Sequence, residues 1–222
     1  MRHKIKKYLF RFRDFMRKQY HALKALRLKN KTPTILTNNC VGGVIYHDLG
    51  LKFYSPTINL WMRTDDYLCF LENLEAFISV DVKEVFEDSI TYPIGCLSLP
   101  DGQTVRLYFM HYASFEEAHQ KWNDRKKRIN YDNLFAIMEF PGKNTTEERY
   151  ASVIERFDHT PIPYKALLTA NQTANSPNAV VMDFYQKESY LPGRILKYKS
   201  RFSIKRYLDE FDYISFLNSH SS

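Results

Sequence analysis

The chain has 222 residues, 44% hydrophobic and 15% aromatic, with a formal net charge of +7. That length suffices for one large domain or two small ones with a substantial core. No window approaches about 18 uninterrupted apolar residues, which excludes a transmembrane helix, and the few glycines and scattered prolines exclude low complexity.

The charge is unevenly placed. Residues 1–31 carry twelve Lys or Arg against one acid, Asp14, a local balance of +11, so the remaining 191 residues sum to −4. Within this segment Ile5, Tyr8, Leu9, Phe12, Phe15, Met16, Leu23 and Leu26 recur at helical spacing, with Lys and Arg elsewhere. The pattern predicts a basic amphipathic helix over residues 1–31, followed by an α/β domain over 32–222. Two readings of the helix stand side by side: a segment lying on an anionic membrane surface, or a helix docked on the domain with a solvated basic face. Nucleic acid is not expected as a partner, because the acidic body offers no second basic surface. No apolar run follows the basic start, so a secretory leader is not expected and the protein is read as cytoplasmic. Three isolated cysteines, Cys40, Cys69 and Cys96, without a CxxC pair, agree with free thiols in a reducing compartment.

Thr34–Thr37 reads as a buried strand. The stretch that follows, NNCVGGVIYHDLGLKFYSPTINLW from Asn38 to Trp61, concentrates unusual chemistry: three of the seven glycines, a cysteine, and His47 beside Asp48. Gly42-Gly43 after a strand predicts a turn with room for close ligand approach. Asn38, Asn39, Tyr46 and Asp48 supply polar groups, with Cys40 a candidate nucleophile. The competing reading is a tight turn whose polar groups satisfy one another, with Cys40 a small buried side chain.

Further on, Thr64 is placed to cap a helix whose apolar face runs from Tyr67 to Ile78. Residues 82–90 are ambiguous. Asp101-Gly102 predicts a hairpin between Ile94–Leu99 and Val105–Met110. His111 ends the second of those strands. Ser114 with Glu117 forms a capping box for a helix to about Arg128, on which Lys121, Arg125 and Arg128 share one side at i, i+4, i+7. Such a row either grips an anion or is simply solvated. Asn130, Asp132 and Asn133 follow, as an Asx-type turn or as the lining of a pocket beside those cations. Leu134–Met138 is an apolar strand. Thr145 with Glu148 caps another helix, Lys165–Thr169 and Ala179–Met182 read as strands around a polar loop at Asn171–Asn178, Pro192-Gly193 as a turn, and Ile204–Leu217 as a last helix. Strands alternating with amphipathic helices predict a layered α/β fold with a mostly parallel, mixed sheet.

The stretches NNCVGGVIYHDLGLKFYSPTINLW, YPIGCL, HYASFEEAHQKWNDRKKRINYDNLF and RYLDEFDYISFLN resemble a bacterial domain-of-unknown-function family whose members are often labelled exopolysaccharide biosynthesis proteins. The resemblance covers roughly residues 33–218. It implies two unlike subdomains and a place in surface-polysaccharide assembly. The chain departs from the family's usual pattern at Tyr131, where relatives often carry tryptophan, and at Glu139-Phe140-Pro141-Gly142.

Ligands of open α/β sheets sit beyond the carboxyl ends of the strands. Those ends hold Asn38-Asn39-Cys40, His111-Tyr112, Glu139 and Ala170-Asn171. The expectation is therefore a transferase acting on a phosphate-activated donor, such as a nucleotide sugar, and a glycan acceptor. His111, Asp48 and Cys40 are the catalytic candidates. Asn38, Asn39, Gly42, Gly43, Tyr46, Lys121, Arg125, Arg128, Asn130, Asp132 and Asn133 are the binding candidates. The alternative is a non-catalytic glycan-binding or assembly factor whose rings at Tyr46, Tyr54 and Trp61 stack on sugars. No Asp-x-Asp, glycine-rich nucleotide loop, nucleophile elbow or zinc spacing is present, so neither a cofactor nor a metal is expected.

Overall fold

A computed structural model describes residues 2–170, 175–187 and 193–221. The polar loop expected at Asn171–Asn178 and the turn at Pro192 lie partly outside them. The chain opens with a long helix, α1 (Arg2–Leu26), and then enters strand β1 (Thr34–Thr37) and helix α2 (Val41–Asp48). Helices α3 (Thr64–Glu72) and α4 (Leu74–Ser79) precede a group of short strands, β2 (Lys83–Val85), β3 (Ile94–Ser98) and β4 (Thr104–Tyr108). Helix α5 (Phe115–Lys126) leads to β5 (Leu134–Glu139), α6 (Glu147–His159), β6 (Tyr164–Thr169), β7 (Ala179–Val181) and α7 (Asp183–Lys187). A terminal helix, α8 (Tyr213–Asn218), follows two 3-10 turns.

The fold is α/β, with its strands segregated into two sheets. One is four-stranded and parallel throughout, in the order β1-β5-β6-β7, and the other is antiparallel, β2-β3-β4. The expected hairpin is the β3–β4 pair, turning at Gly102 with φ of +91°. It forms its own layer and does not join the parallel sheet.

Alternation along the parallel strands builds two cores. Leu36, Leu134, Ala136, Met138 and Leu167 face α3, α4, α5, α6 and the small sheet, which contribute Phe70, Phe77, Trp122 and Phe157. Ile35, Phe135, Ile137, Ala166 and Leu168 face α2 and the C-terminal segment, with Ile45, Tyr185, Ile195 and Leu217. Burial on both faces explains why β5 reads as an unbroken apolar run, LFAIM, closed by a single acid.

Local chemistry sets the ends of the helices. The Ser114 hydroxyl accepts the Glu117 N–H at the start of α5, as the capping box predicts. At α6 the cap is Thr146, one residue later than expected, accepting from Arg149 N–H. The helix expected over Ile204–Leu217 is instead a 3-10 turn, Tyr207–Glu210, and the short α8. Asp212 divides them because its carboxylate caps α8, accepting from Ser215 N–H.

Gly42-Gly43 form part of α2 and make no turn. A Cβ at Gly42 would stand 2.9 Å from the Thr37 side chain, so this glycine lets the helix lie close against β1.

Candidate functional site

At the carboxyl edge of the parallel sheet the ends of β1 and β5 are locked together. Asn38 Nδ2 donates to the Glu139 carbonyl at 3.1 Å, while Glu139 N–H donates to Asn38 Oδ1 at 3.0 Å. The next residue, Asn39, uses Oδ1 to accept the Val41 N–H at the start of α2. Its Nδ2 donates to Glu139 Oε2, and Tyr185 OH donates to Glu139 Oε1 at 2.8 Å. Glu139 is 4% exposed, with each carboxyl oxygen held by a neutral donor. Burial raises its pKa above the ordinary carboxylate value, and the two hydrogen bonds offset only part of that.

Above this carboxylate opens a cavity of about 830 Å³. Its floor and near wall are Asn38, Asn39, Cys40, Glu139 and Phe140, and His111, Met110, Trp61 and Tyr92 form the side toward the antiparallel sheet. Trp61 is fixed by stacking on Tyr108 at 4.0 Å between ring centroids and by donating its indole N–H to Tyr92 OH. Pro141-Gly142 carries the chain round the rim. Gly142 has φ of +75°, and a Cβ there would meet the Tyr150 ring at 2.2 Å, so both backbone and space demand glycine.

The charge of this wall is lopsided. Arg63, Lys143, Arg194 and Lys197 line the cavity with Glu139 as the one acid, among the described residues. Arg63 also pairs with Glu87 at 3.1 Å. The arrangement suits an anionic ligand whose charged end meets the cations while its other end approaches a buried carboxyl group.

The structure therefore brings Asn38, Asn39, Cys40 and His111 into one cavity and places the other candidates elsewhere. Cys40 is half-buried, and burial, with the Glu139 charge adding to it, raises its thiol to about 11. Such a thiol stays protonated near neutrality, so the geometry gives Cys40 a wall position and no nucleophile's environment. Asp48 is buried outside the cavity, 3.1 Å from Arg206 Nε and 3.6 Å from His21. It secures the C-terminal segment against α2 and α1. Tyr46 is wholly buried, its hydroxyl donating to the Pro33 carbonyl and accepting from Ile35 N–H. Tyr54 and the two glycines of α2 also lie outside the cavity lining.

The group expected beside the cationic row does not reach this cavity. Asn130, Asp132 and Asn133 immediately precede β5, and β5 pairs in parallel with β1 from Thr34↔Leu134 onward. Residues before a strand and residues after it sit at opposite edges of a parallel sheet. Asn130 N–H accordingly donates to Thr34 Oγ1, at the start of β1, and Asn133 exchanges two 2.8 Å amide hydrogen bonds with Asn30. Arg125 is buried, donating to the Ile58 carbonyl and Tyr112 OH, while Lys121 is exposed and Arg128 half-exposed. The three cations thus diverge in environment and line no common site.

Glu139, Arg63, Lys143, Arg194 and Lys197 are the cavity residues that spacing alone does not select. Glu139 carries a usable signal, as a lone acid ending a fully apolar strand. The cations come from three separate segments and carry none. Among the described residues no three His, Cys, Asp or Glu side chains gather as metal ligands, and no helix is long and apolar enough to cross a membrane.

Comparison with known proteins adds a family. A domain of unknown function, DUF1919, matches residues 11–218. The chain belongs to that family. Its match begins inside α1, further toward the N-terminus than the resemblance at residues 33–218 implies. A Haemophilus influenzae protein described as uncharacterized is 31% identical over 192 residues, covering 86% of this chain and 87% of the relative. The match thus spans nearly the whole of both chains.

Proposed function

We propose that this DUF1919 protein transfers a sugar or another substituent from a phosphate-activated donor to a glycan acceptor in surface-polysaccharide assembly, working peripherally at the inner membrane face. The observation that carries the transfer reading is the cavity at the carboxyl edge, which four cationic residues and one buried glutamate line together. In this reading Arg63, Lys143, Arg194 and Lys197 hold the donor's phosphate and stabilise the negative charge that develops on it as it leaves. Glu139 or His111 takes the proton of the acceptor hydroxyl, and the raised pKa of Glu139 suits a base of that kind. Asn38 and Asn39 orient Glu139 from below. The polysaccharide context rests on the sequence resemblance.

A thermal-shift screen of nucleotide sugars and acyl-coenzyme A thioesters tests it. A donor should raise the midpoint of the intact protein, and Arg194→Ala with Lys197→Ala should abolish that shift. A shift that survives the double substitution would remove the phosphate from this wall.

The rings of Trp61, Tyr92 and Phe140 support a second reading, a non-catalytic site that stacks on a glycan. Under it a neutral oligosaccharide alone should stabilise the protein, Trp61→Ala should cancel the effect, and Glu139→Gln should leave it intact.

A further inference from the structure

Helix α1 packs on the domain with its charged side inward. The Arg17 guanidinium lies 3.2 Å from the centre of the Tyr198 ring and donates to the Ser203 carbonyl. Lys24 pairs with Asp209 at 2.7 Å and sits over the Tyr213 ring, and between them His21 is buried beside Asp48. The opposite side faces outward, and it is apolar. Tyr8, Phe12, Phe15, Leu23 and Leu26 stand 50% exposed or more, together with Leu9 at the margin. At 3.6 residues per turn the steps 8, 12, 15, 23 and 26 keep to one straight stripe. This reverses the expectation of a docked helix with a solvated basic face: the body takes up the cations of one side and leaves the rings in water.

A water-soluble surface rarely leaves such a stripe uncovered. Its borders indicate what covers it. Arg11 and Lys18 are exposed along the helix and Arg27 and Lys29 just beyond its end, within a segment of +11 that holds a single acid. A second copy of the same face would bring like charge against like charge. An anionic lipid surface satisfies both features at once, taking the rings among its acyl chains while its phosphates meet the flanking cations.

We propose that the outward face of α1 is a docking surface for anionic phospholipid, with Tyr8, Phe12, Phe15, Leu23 and Leu26 entering the interface. The proposal rests on the peripheral-membrane part of the reading above and is independent of the donor cavity. Docking is linked to that cavity through one segment, since Arg194 and Lys197 line it and the adjoining Tyr198 carries Arg17 of α1. The helix lies along the interface while its inward contacts stay in place, so the cavity wall remains fixed to the docked face.

The test is co-sedimentation of the full chain with phosphatidylcholine vesicles, with and without phosphatidylglycerol, at low and high salt. Binding should be strong only with phosphatidylglycerol and weaken as salt rises. Phe12→Ser with Phe15→Ser should reduce it by about tenfold or more, since each ring removes apolar area from the interface. These side chains are more than half exposed, so the variant should keep the parental unfolding midpoint. Arg11→Gln with Lys18→Gln should weaken binding to anionic vesicles while leaving the weak attachment to neutral ones unchanged. Equal binding to neutral and anionic vesicles, or none to either, overturns the proposal. So does a dimer in sedimentation velocity that the Phe12→Ser, Phe15→Ser variant dissociates, which would give the face to a second copy. Vesicle binding is read without any donor, so a failed donor screen leaves this result standing, and failed sedimentation leaves the cavity untouched.

Discussion

The two edges of the parallel sheet carry similar residues and do different things. At the amino edge Asn30 and Asn133 satisfy each other through two amide–amide hydrogen bonds, and Asn130 closes onto Thr34. The Asn30 and Asn133 amides are spent on each other. At the carboxyl edge Asn38 and Asn39 are equally well bonded, yet their partner is Glu139, a carboxyl group that faces a cavity. Asparagine at a strand end is thus uninformative by itself. What distinguishes the edges is whether the hydrogen bonds end in one another or converge on a group that still has chemistry to offer.

The largest expected effect breaks this symmetry directly. In the proposed transfer Glu139→Gln keeps shape and most hydrogen bonding but removes the proton acceptor, and turnover with the identified donor should fall by about 10²–10⁴-fold. Asn133→Ala at the other edge should leave turnover per folded molecule unchanged. A Glu139→Gln protein of full activity would move the base to His111 or remove the transfer reading.

Stability should separate the edges next. Asn38→Ala leaves both the N–H and the carbonyl of Glu139 without their side-chain partner at a buried position, at a cost of about 2–4 kcal/mol. Asn133→Ala costs less, about 1–2 kcal/mol, because Asn30 keeps its bond to the Leu217 carbonyl. Urea denaturation of both variants checks the order, and equal losses would mean the carboxyl-edge lock is no stronger than an ordinary side-chain pair.

Acid titration gives a finer contrast. Because burial raises the Glu139 pKa in the folded protein, the native state holds that proton more readily than the unfolded chain. Its contribution to stability is therefore greatest at and below the ordinary carboxylate pKa and declines as pH rises through the raised value. Glu139→Gln removes that decline, so wild type minus variant should become less favourable to wild type as pH rises above the ordinary carboxylate pKa. A difference that grows with pH would mean that the carboxylate is stabilised in the fold.

Much of this was open to sequence reasoning. Apolar runs mark the four parallel strands and the Asp101-Gly102 turn marks the β3–β4 hairpin, with the Ser114 box opening α5, while β2 falls in the ambiguous stretch at residues 82–90. Strand direction was also available, and it already assigns Asn130–Asn133 to the edge opposite Asn38, because they precede β5 while Asn38 follows β1. Other features are set by distant partners. Asp48 reads as a catalytic candidate beside His47 until Arg206, 158 positions away, is seen to take its carboxylate. Gly42-Gly43 looks like a turn until Thr37 is seen beneath the helix. The cavity's cations are drawn from segments around residues 63, 143 and 194–197, which only the fold brings together.

The smallest effect concerns the cations of α5, and it sharpens the comparison most cheaply. Their spacing groups Lys121, Arg125 and Arg128 on one side of the helix, yet Arg125 turns under Phe53 to hold the Ile58 carbonyl and Tyr112 while Lys121 stays in solvent. A shared anion site would make their losses alike, each weakening donor binding. The structure predicts divergence. Arg125→Ala should cost about 1–3 kcal/mol through lost packing and hydrogen bonding, without changing the donor-induced thermal shift beyond that offset. Lys121→Ala should alter stability by less than about 0.5 kcal/mol and the donor response not at all. Arg194→Ala, in the cavity wall, should weaken donor affinity by tenfold or more, about one charged contact, beyond any change in the parental stability. If Lys121→Ala weakens the donor and Arg194→Ala does not, the anion sits on α5 and the carboxyl-edge cavity serves some other ligand.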